Sequence, residues 1–147
     1  MDVKDIEGII GKLKDIPYQH NGRSMRGVDC WGLIYLFFKE LGIRLPISDG
    51  SFAPDDWYKK QPERYGNALK TLGEDVGHYR NLKPLDIPYF RLYRDVITHS
   101  GVMLDRQFFL HVLIDKKVRV DSFNRLFWRA KYAGAIRIDL NKYRRKL

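Results

Sequence analysis

The chain has 147 residues, 44% of them hydrophobic and 14% aromatic; this is the size of one ordinary domain and too apolar for a disordered chain. Its longest apolar run, Leu33 to Phe38, is six residues, against roughly 20 for a bilayer span, so no transmembrane helix is expected. The net charge of +9 is uneven: residues 1–115 hold 16 basic and 16 acidic side chains, and residues 116–147 hold 11 and 2.

In chain order, Val3, Ile6, Ile9, Ile10 and Leu13 recur at helical spacing and predict a helix over residues 2–14, ended by Pro17. The opening MDVKDIEG lacks the basic start and apolar core of a signal peptide, so the chain is expected to be made in the cytoplasm and not to leave by the ordinary secretory route. Residues 18–28 are polar and glycine-bearing, hence loop. A central buried helix is predicted over 29–41, with Cys30, Leu33, Ile34, Phe37, Phe38 and Leu41 apolar, Asp29 as N-cap and Gly42 as the capping glycine. Residues 43–60 read as a long loop and 62–72 as a weak helix. After Pro84 the period changes to two, and strands are expected over 85–90, 96–104, 107–114, 117–121 and 132–139, with Asp105 and Arg106 at a hairpin tip. Helices followed by sequential strands predict an α+β fold, an antiparallel sheet packed on the cysteine helix. Residues 1–147 are expected to form a single domain ending in a basic tail, 142–147, which suits either solvation or an anionic partner.

One cysteine excludes an internal disulfide, and one thiol with four histidines is too thin a set for structural zinc. Cys30 lies in the first turn of a helix, where orphan N–H groups and the dipole favour a thiolate and can hold an oxyanion. A cysteine nucleophile needs a base, and the base needs an orienter. His99 and His111, twelve residues apart across a turn, are expected on paired neighbouring strands, within reach of one another. Which histidine is outermost, and which nitrogen carries the proton, stays open; so does simple packing of the thiol, since free cysteines are among the most buried residues. His20 and His78 are expected at the surface, and Trp57, Tyr58 and Tyr65 as core lids more readily than groove walls. Arg125, Arg129 and Lys131 with Phe127 and Trp128 form a basic-aromatic set, but no nucleic-acid motif accompanies it and nucleic acid is not an expected partner.

The run Gly27-Val28-Asp29-Cys30-Trp31-Gly32-Leu33-Ile34, followed by Leu41-Gly42-Ile43-Arg44-Leu45-Pro46, resembles the nucleophile motif of the NlpC family of papain-like cell-wall endopeptidases. It most resembles the branch carried at bacteriophage tail tips, where Trp commonly follows the cysteine. Tyr18 with Asn21-Gly22-Arg23 resembles the family's approach loop, Pro84-Leu85-Asp86 the strand start usually written Pro-Gly-Asp, Thr98 to Val102 the histidine strand, Phe109-Leu110-His111 the third polar position, and Ala133 to Arg137 the closing strand. The resemblance implies a papain-like cysteine peptidase that hydrolyses peptidoglycan stem peptides without metal or organic cofactor. Cys30 would be the nucleophile, His99 the base and then the acid, and His111 its orienter. Tyr18 would lie near the thiol, Asp29 would shape the groove, and Trp31 would narrow it or offer a stacking face. The implied setting is a virion tail, with other tail-tip proteins as partners. A tail-tip module that keeps the fold without activity is the alternative.

Overall fold

The structure, a computed structural model, describes residues 3–48 and 53–144. Helix α1 (Val3–Leu13) buries Ile9 and Leu13. The segment expected as loop forms a small hairpin, β1 (Arg23–Ser24) with β2 (Gly27–Val28). Helix α2 (Cys30–Glu40) follows; Asp29 caps it by accepting the Gly32 N–H at 2.8 Å, and Gly42 has φ +76° beyond its end. Every residue from Cys30 to Phe38 is buried. Aromatic and β-branched residues are mediocre helix formers, so packing stabilises this helix, roughly 1.5–3 kcal/mol for each fully buried large side chain such as Phe37 or Leu33.

The predicted long loop carries one turn of helix, α3 (Trp57–Lys60), and the weak helix is α4 (Arg64–Lys70). Then come β3 (Gly73–Asp75), a 3₁₀ turn at Tyr79–Asn81, β4 (Ile87–Tyr93), β5 (Val96–Ser100), β6 (Val102–Met103), β7 (Phe108–His111), β8 (Arg119–Ser122), helix α5 (Leu126–Lys131), β9 (Tyr132–Ile138) and helix α6 (Leu140–Tyr143). The strands form two antiparallel sheets, ordered β3-β9-β4-β5 and β6-β7-β8. The run 96–104 is therefore not one strand. It breaks at Gly101, whose N–H still bonds the Pro88 carbonyl, and the chain passes from pairing with β4 to pairing with β7. A Cβ at residue 101 would lie 2.6 Å from the Leu110 carbonyl oxygen, so the crossing requires glycine. His99 and His111 consequently lie in different sheets, not on paired neighbours as expected.

The larger core packs the helices on the four-stranded sheet and takes in Val102 and Leu110 of the three-stranded one. A second core, Leu82, Phe90, Met103, Phe109, Phe123, Trp128 and Ala135, joins residues from both sheets with α5. Leu85, where the resemblance leads one to expect glycine, has φ +75°. The Asp86 N–H bonds the Lys83 carbonyl at 3.1 Å, so Lys83-Pro84-Leu85-Asp86 is a type II turn with proline second and the left-handed residue third. Leucine holds the geometry that glycine ordinarily supplies. Of the segment expected as basic tail, residues 142 and 143 belong to the helix 140–143; the Tyr143 carbonyl accepts the Arg44 N–H and its ring packs on the core. Residues 145–147 of that tail lie outside the described residues.

Candidate active site

Four elements converge on one line of polar side chains. The α2 start places Cys30, β5 places His99, β7 places His111 and β8 places Asp121. Cys30 Sγ lies 3.2 Å from His99 Nδ1, His99 Nε2 lies 2.8 Å from His111 Nδ1, and His111 Nε2 lies 3.3 Å from Asp121 Oδ2. Strand register explains the last step: Phe109 faces Asp121 and His111 faces Arg119, so His111 and Asp121 are diagonal neighbours on one face. Asp121 is held in turn by Arg125 Nη1 on Oδ1 at 2.9 Å, Arg119 Nη2 on Oδ2 at 3.3 Å and the Ser122 N–H on Oδ1 at 3.3 Å. Thus the sequence-predicted Cys30, His99 and His111 come together, and Asp121 extends them.

The line is dry. Cys30 is 8% exposed, His99 3% and His111 fully enclosed. Trp128 covers both imidazoles, its ring centroid 5.6 Å from that of His99 and 4.9 Å from that of His111. This indole faces inward, Arg125 is tied to Asp121, and Arg129 bonds the Phe123 carbonyl and lies over Tyr79. The basic-aromatic set is therefore split: Trp128 is buried against the imidazoles, while Arg125, Phe127 and Arg129 are exposed behind it.

Burial pushes the Cys30 thiol up to about 12, against the N–H groups of Ser100 and Cys30 that favour the thiolate. The helix-start argument for a lowered thiol pKa is overturned here, because desolvation exceeds those contributions. Burial, with the nearby His111, holds His99 well below the ordinary histidine value. Burial likewise lowers His111 to about 4, although Asp121 pulls it upward. Burial raises the Asp121 carboxyl, but the Arg125 hydrogen bond and the charges of His111 and Arg125 outweigh it, and the net shift is downward. The resting line is thus a neutral thiol, two neutral imidazoles and a carboxylate.

Two recesses meet at Cys30. The smaller, about 70 Å³, is walled by Arg23, Asp29, Trp31, Ser48, Arg64 and Tyr65; the larger, about 420 Å³, by Tyr58, Leu92, Tyr93, His99, Leu113 and Ile114. Tyr18, His20, Trp57 and Thr98 border both. Tyr18 is partly buried, and burial, with the nearby Cys30, keeps its phenol protonated. Asp29 does more than cap: Oδ1 also pairs with Arg23 and Oδ2 accepts the Asn21 N–H at 3.0 Å, locking the approach loop to the helix. Trp31 donates its indole N–H to the Pro46 carbonyl at 2.8 Å and meets the Tyr65 ring edge-on at 6.2 Å. His20 is not a surface bystander; its Nε2 lies 2.8 Å from the Ala53 carbonyl and its ring borders the cleft. His78 is exposed, as expected, and caps the 3₁₀ turn. Trp57, Tyr58 and Tyr65 line the cleft; Tyr65 also packs on the main core, as expected of a lid, and shares a 2.5 Å hydrogen bond with Ser100.

Among the described residues no group of three or more His, Cys, Asp or Glu side chains has a metal-binding arrangement, and no helix is long and apolar enough to cross a membrane. Among curated proteins, the chain is 25% identical over 137 residues to the probable peptidoglycan endopeptidase LytE of Bacillus subtilis, covering 92% of this chain and 33% of that one. It is 26% identical over 126 residues to the murein DD-endopeptidase MepS/murein LD-carboxypeptidase of Escherichia coli K12, covering 85% and 57%. The chain thus spans between a third and somewhat over half of those relatives. Among solved structures, an NlpC/P60 family protein from Bacillus cereus superposes with a TM-score of 0.68 at 20% identity, over 94% of this chain and 40% of that one. The NlpC/p60 domain of the peptidoglycan hydrolase SagA superposes with a TM-score of 0.58 at 15% identity, over 94% and 100%. These likenesses establish the papain-like α+β fold. The model of the NlpC/P60 family matches residues 15–137, and the chain belongs to that family.

Proposed function

We propose that the chain is a cysteine endopeptidase that hydrolyses peptide bonds of peptidoglycan stem peptides, with Cys30 as nucleophile, His99 as general base and acid, and His111 as the orienter of His99. The observation that carries this reading is the unbroken contact from Cys30 Sγ through His99 to His111, opening on a cleft at the thiol end. Because thiol and imidazole rest neutral, the S–H proton passes to His99 Nδ1 as sulfur attacks the substrate carbonyl. The imidazolium so formed is held by His111 Nδ1, and it then protonates the leaving amine. The thioester left on Cys30 is cleaved by water that gives its proton to His99. In this reading Tyr18, protonated and bordering both recesses, donates to the oxyanion.

The test is digestion of purified peptidoglycan followed by mass spectrometry of the released peptides. Wild type should liberate new amino and carboxyl termini, and Cys30→Ala and His99→Ala should lower the rate at least 10³-fold. Cleavage unchanged in Cys30→Ala would overturn the reading.

The finer setting, a phage tail tip with tail proteins as partners, is supported by Trp31 directly after the cysteine, as in the tail-tip branch that the motif resembles. Mass spectrometry of purified virions should then detect the chain. A tail module without activity would be present there and release no peptides.

A further inference from the structure

We propose that Asp121 is a positioning residue that sets the direction of the protons along the Cys30–His99–His111 line. The inference rests on the reading of His99 as the base, and it follows from counting donors and acceptors. An ionised carboxylate only accepts hydrogen bonds. His111 Nε2, facing Asp121 Oδ2, must therefore carry its hydrogen, which leaves His111 Nδ1 as a lone pair. That lone pair, 2.8 Å from His99 Nε2, requires the hydrogen of His99 to be on Nε2. His99 Nδ1 is then a lone pair aimed at the thiol 3.2 Å away, the one arrangement in which it can take the S–H proton. Reversal of the first hydrogen bond would put a hydrogen on His99 Nδ1 and leave the thiol without a base. Two neutral imidazoles in contact have no intrinsic preference between the two directions. The preference comes from the end of the line.

The carboxylate is built to stay a pure acceptor. Arg125 and the Ser122 N–H donate to Oδ1 and Arg119 donates to Oδ2, so no proton is needed to satisfy it. The two guanidiniums are each about half exposed, whereas the carboxylate is 6% exposed. The arginines thus hold the charge at the back of the site while the buried oxygen points inward. In Asp121→Asn, Arg125 and Ser122 would claim the single carbonyl oxygen, and the amide nitrogen would take the place of Oδ2. Facing a donor, His111 Nε2 would become the acceptor and the whole line would reverse.

The experiment is long-range ¹H–¹⁵N correlation on protein labelled at histidine, at pH 7 and without substrate, with peptidoglycan digestion run alongside. In wild type, His111 should be the Nε2–H tautomer. In Asp121→Asn it should switch to Nδ1–H, and kcat should fall on the order of 10³- to 10⁴-fold with KM within a few-fold, the scale known for replacing the carboxylate behind a catalytic histidine with its amide. An ion pair that only steadied β8 would leave the tautomer unmoved. Wild-type His111 found as Nδ1–H overturns the proposal by itself, whether or not the variant folds. So does a folded Asp121→Asn protein with unchanged tautomers or with kcat within threefold. Wild type showing the expected tautomer but releasing no peptide would count against the peptidase reading alone.

Discussion

Leu85 offers a test of backbone strain whose sign, not only its size, is diagnostic. Its φ of +75° places it third in a type II turn, where an L side chain costs roughly 1–2 kcal/mol. Replacing it by Ala and by Gly removes the same leucyl packing on the main core, so the difference between the two variants isolates the backbone. Alanine keeps the strain. Glycine escapes it but has more freedom to lose on folding, roughly 0.4–1 kcal/mol. The balance makes Leu85→Gly about 0.5–1 kcal/mol more stable than Leu85→Ala. Gly8 in α1 is the control: it lies inside a helix, and a Cβ there meets nothing within 4 Å. There the order inverts, and Gly8→Ala should stabilise by about 0.5–1 kcal/mol. Urea titration of the four proteins, with m held common, reads both differences as midpoint shifts. Alanine equal to or better than glycine at 85, with Gly8 behaving normally, would refute the strain argument.

Acid should unfold the protein through its histidines. His111 falls from 6.5 to about 4 on folding and His99 also falls, so the unfolded chain binds more protons; stability is complete above about pH 6.5 and is lost as pH drops toward 4. His111 alone accounts for about 3 kcal/mol by pH 4, at 1.36 kcal/mol per pH unit; urea midpoints that stay level from pH 7 to 4.5 would contradict this. Trp128 has a buried indole N–H with no hydrogen-bond partner. Trp128→Phe removes that orphan, relieving roughly 1–3 kcal/mol while losing some packing, and should stay within about 1 kcal/mol of wild type; Trp128→Ala should cost about 3–5 kcal/mol. Thermal melts in which Phe is as damaging as Ala would show that the orphan carries no cost.

The cysteine helix and both histidines were legible because each announces itself locally: Asp29 and Gly42 bracket a run apolar on most of its circumference, and the two histidines sit in short runs rich in β-branched and aromatic residues. The break at Gly101 was not, since Val96 to Leu104 reads as one extended run with no turn pair inside it, and only the steric demand of the Leu110 carbonyl distinguishes the glycine. Asp121 escaped notice because its role depends on a register between β7 and β8 that follows from the intervening turn, not from either strand. A lone acidic residue in an extended run was the available signal, and a weak one. The inward turn of Trp128 was not legible because α5 is six residues long, too short for a helical period to show which face turns inward. The thiol pKa failed for another reason: a helix start is a local feature, whereas burial is set by β5 and β7, which lie at least 66 residues further along the chain.

His99 and His111 belong to separate sheets, and the 2.8 Å bond between them bridges the joint. That bond works as a gauge of fit with a fine tolerance, since a slide of about 0.7 Å carries it past the hydrogen-bonding range. Three backbone bonds also cross the joint, from the Gly101 N–H to Pro88, the Met103 N–H to Asp86 and the Leu85 N–H to Met103, so a slide strains the joint before it disturbs the rest of either ladder. Loosening the joint would therefore silence the thiol while the secondary structure still looked whole, so chemical competence is a property of how the two halves are seated and not of either half.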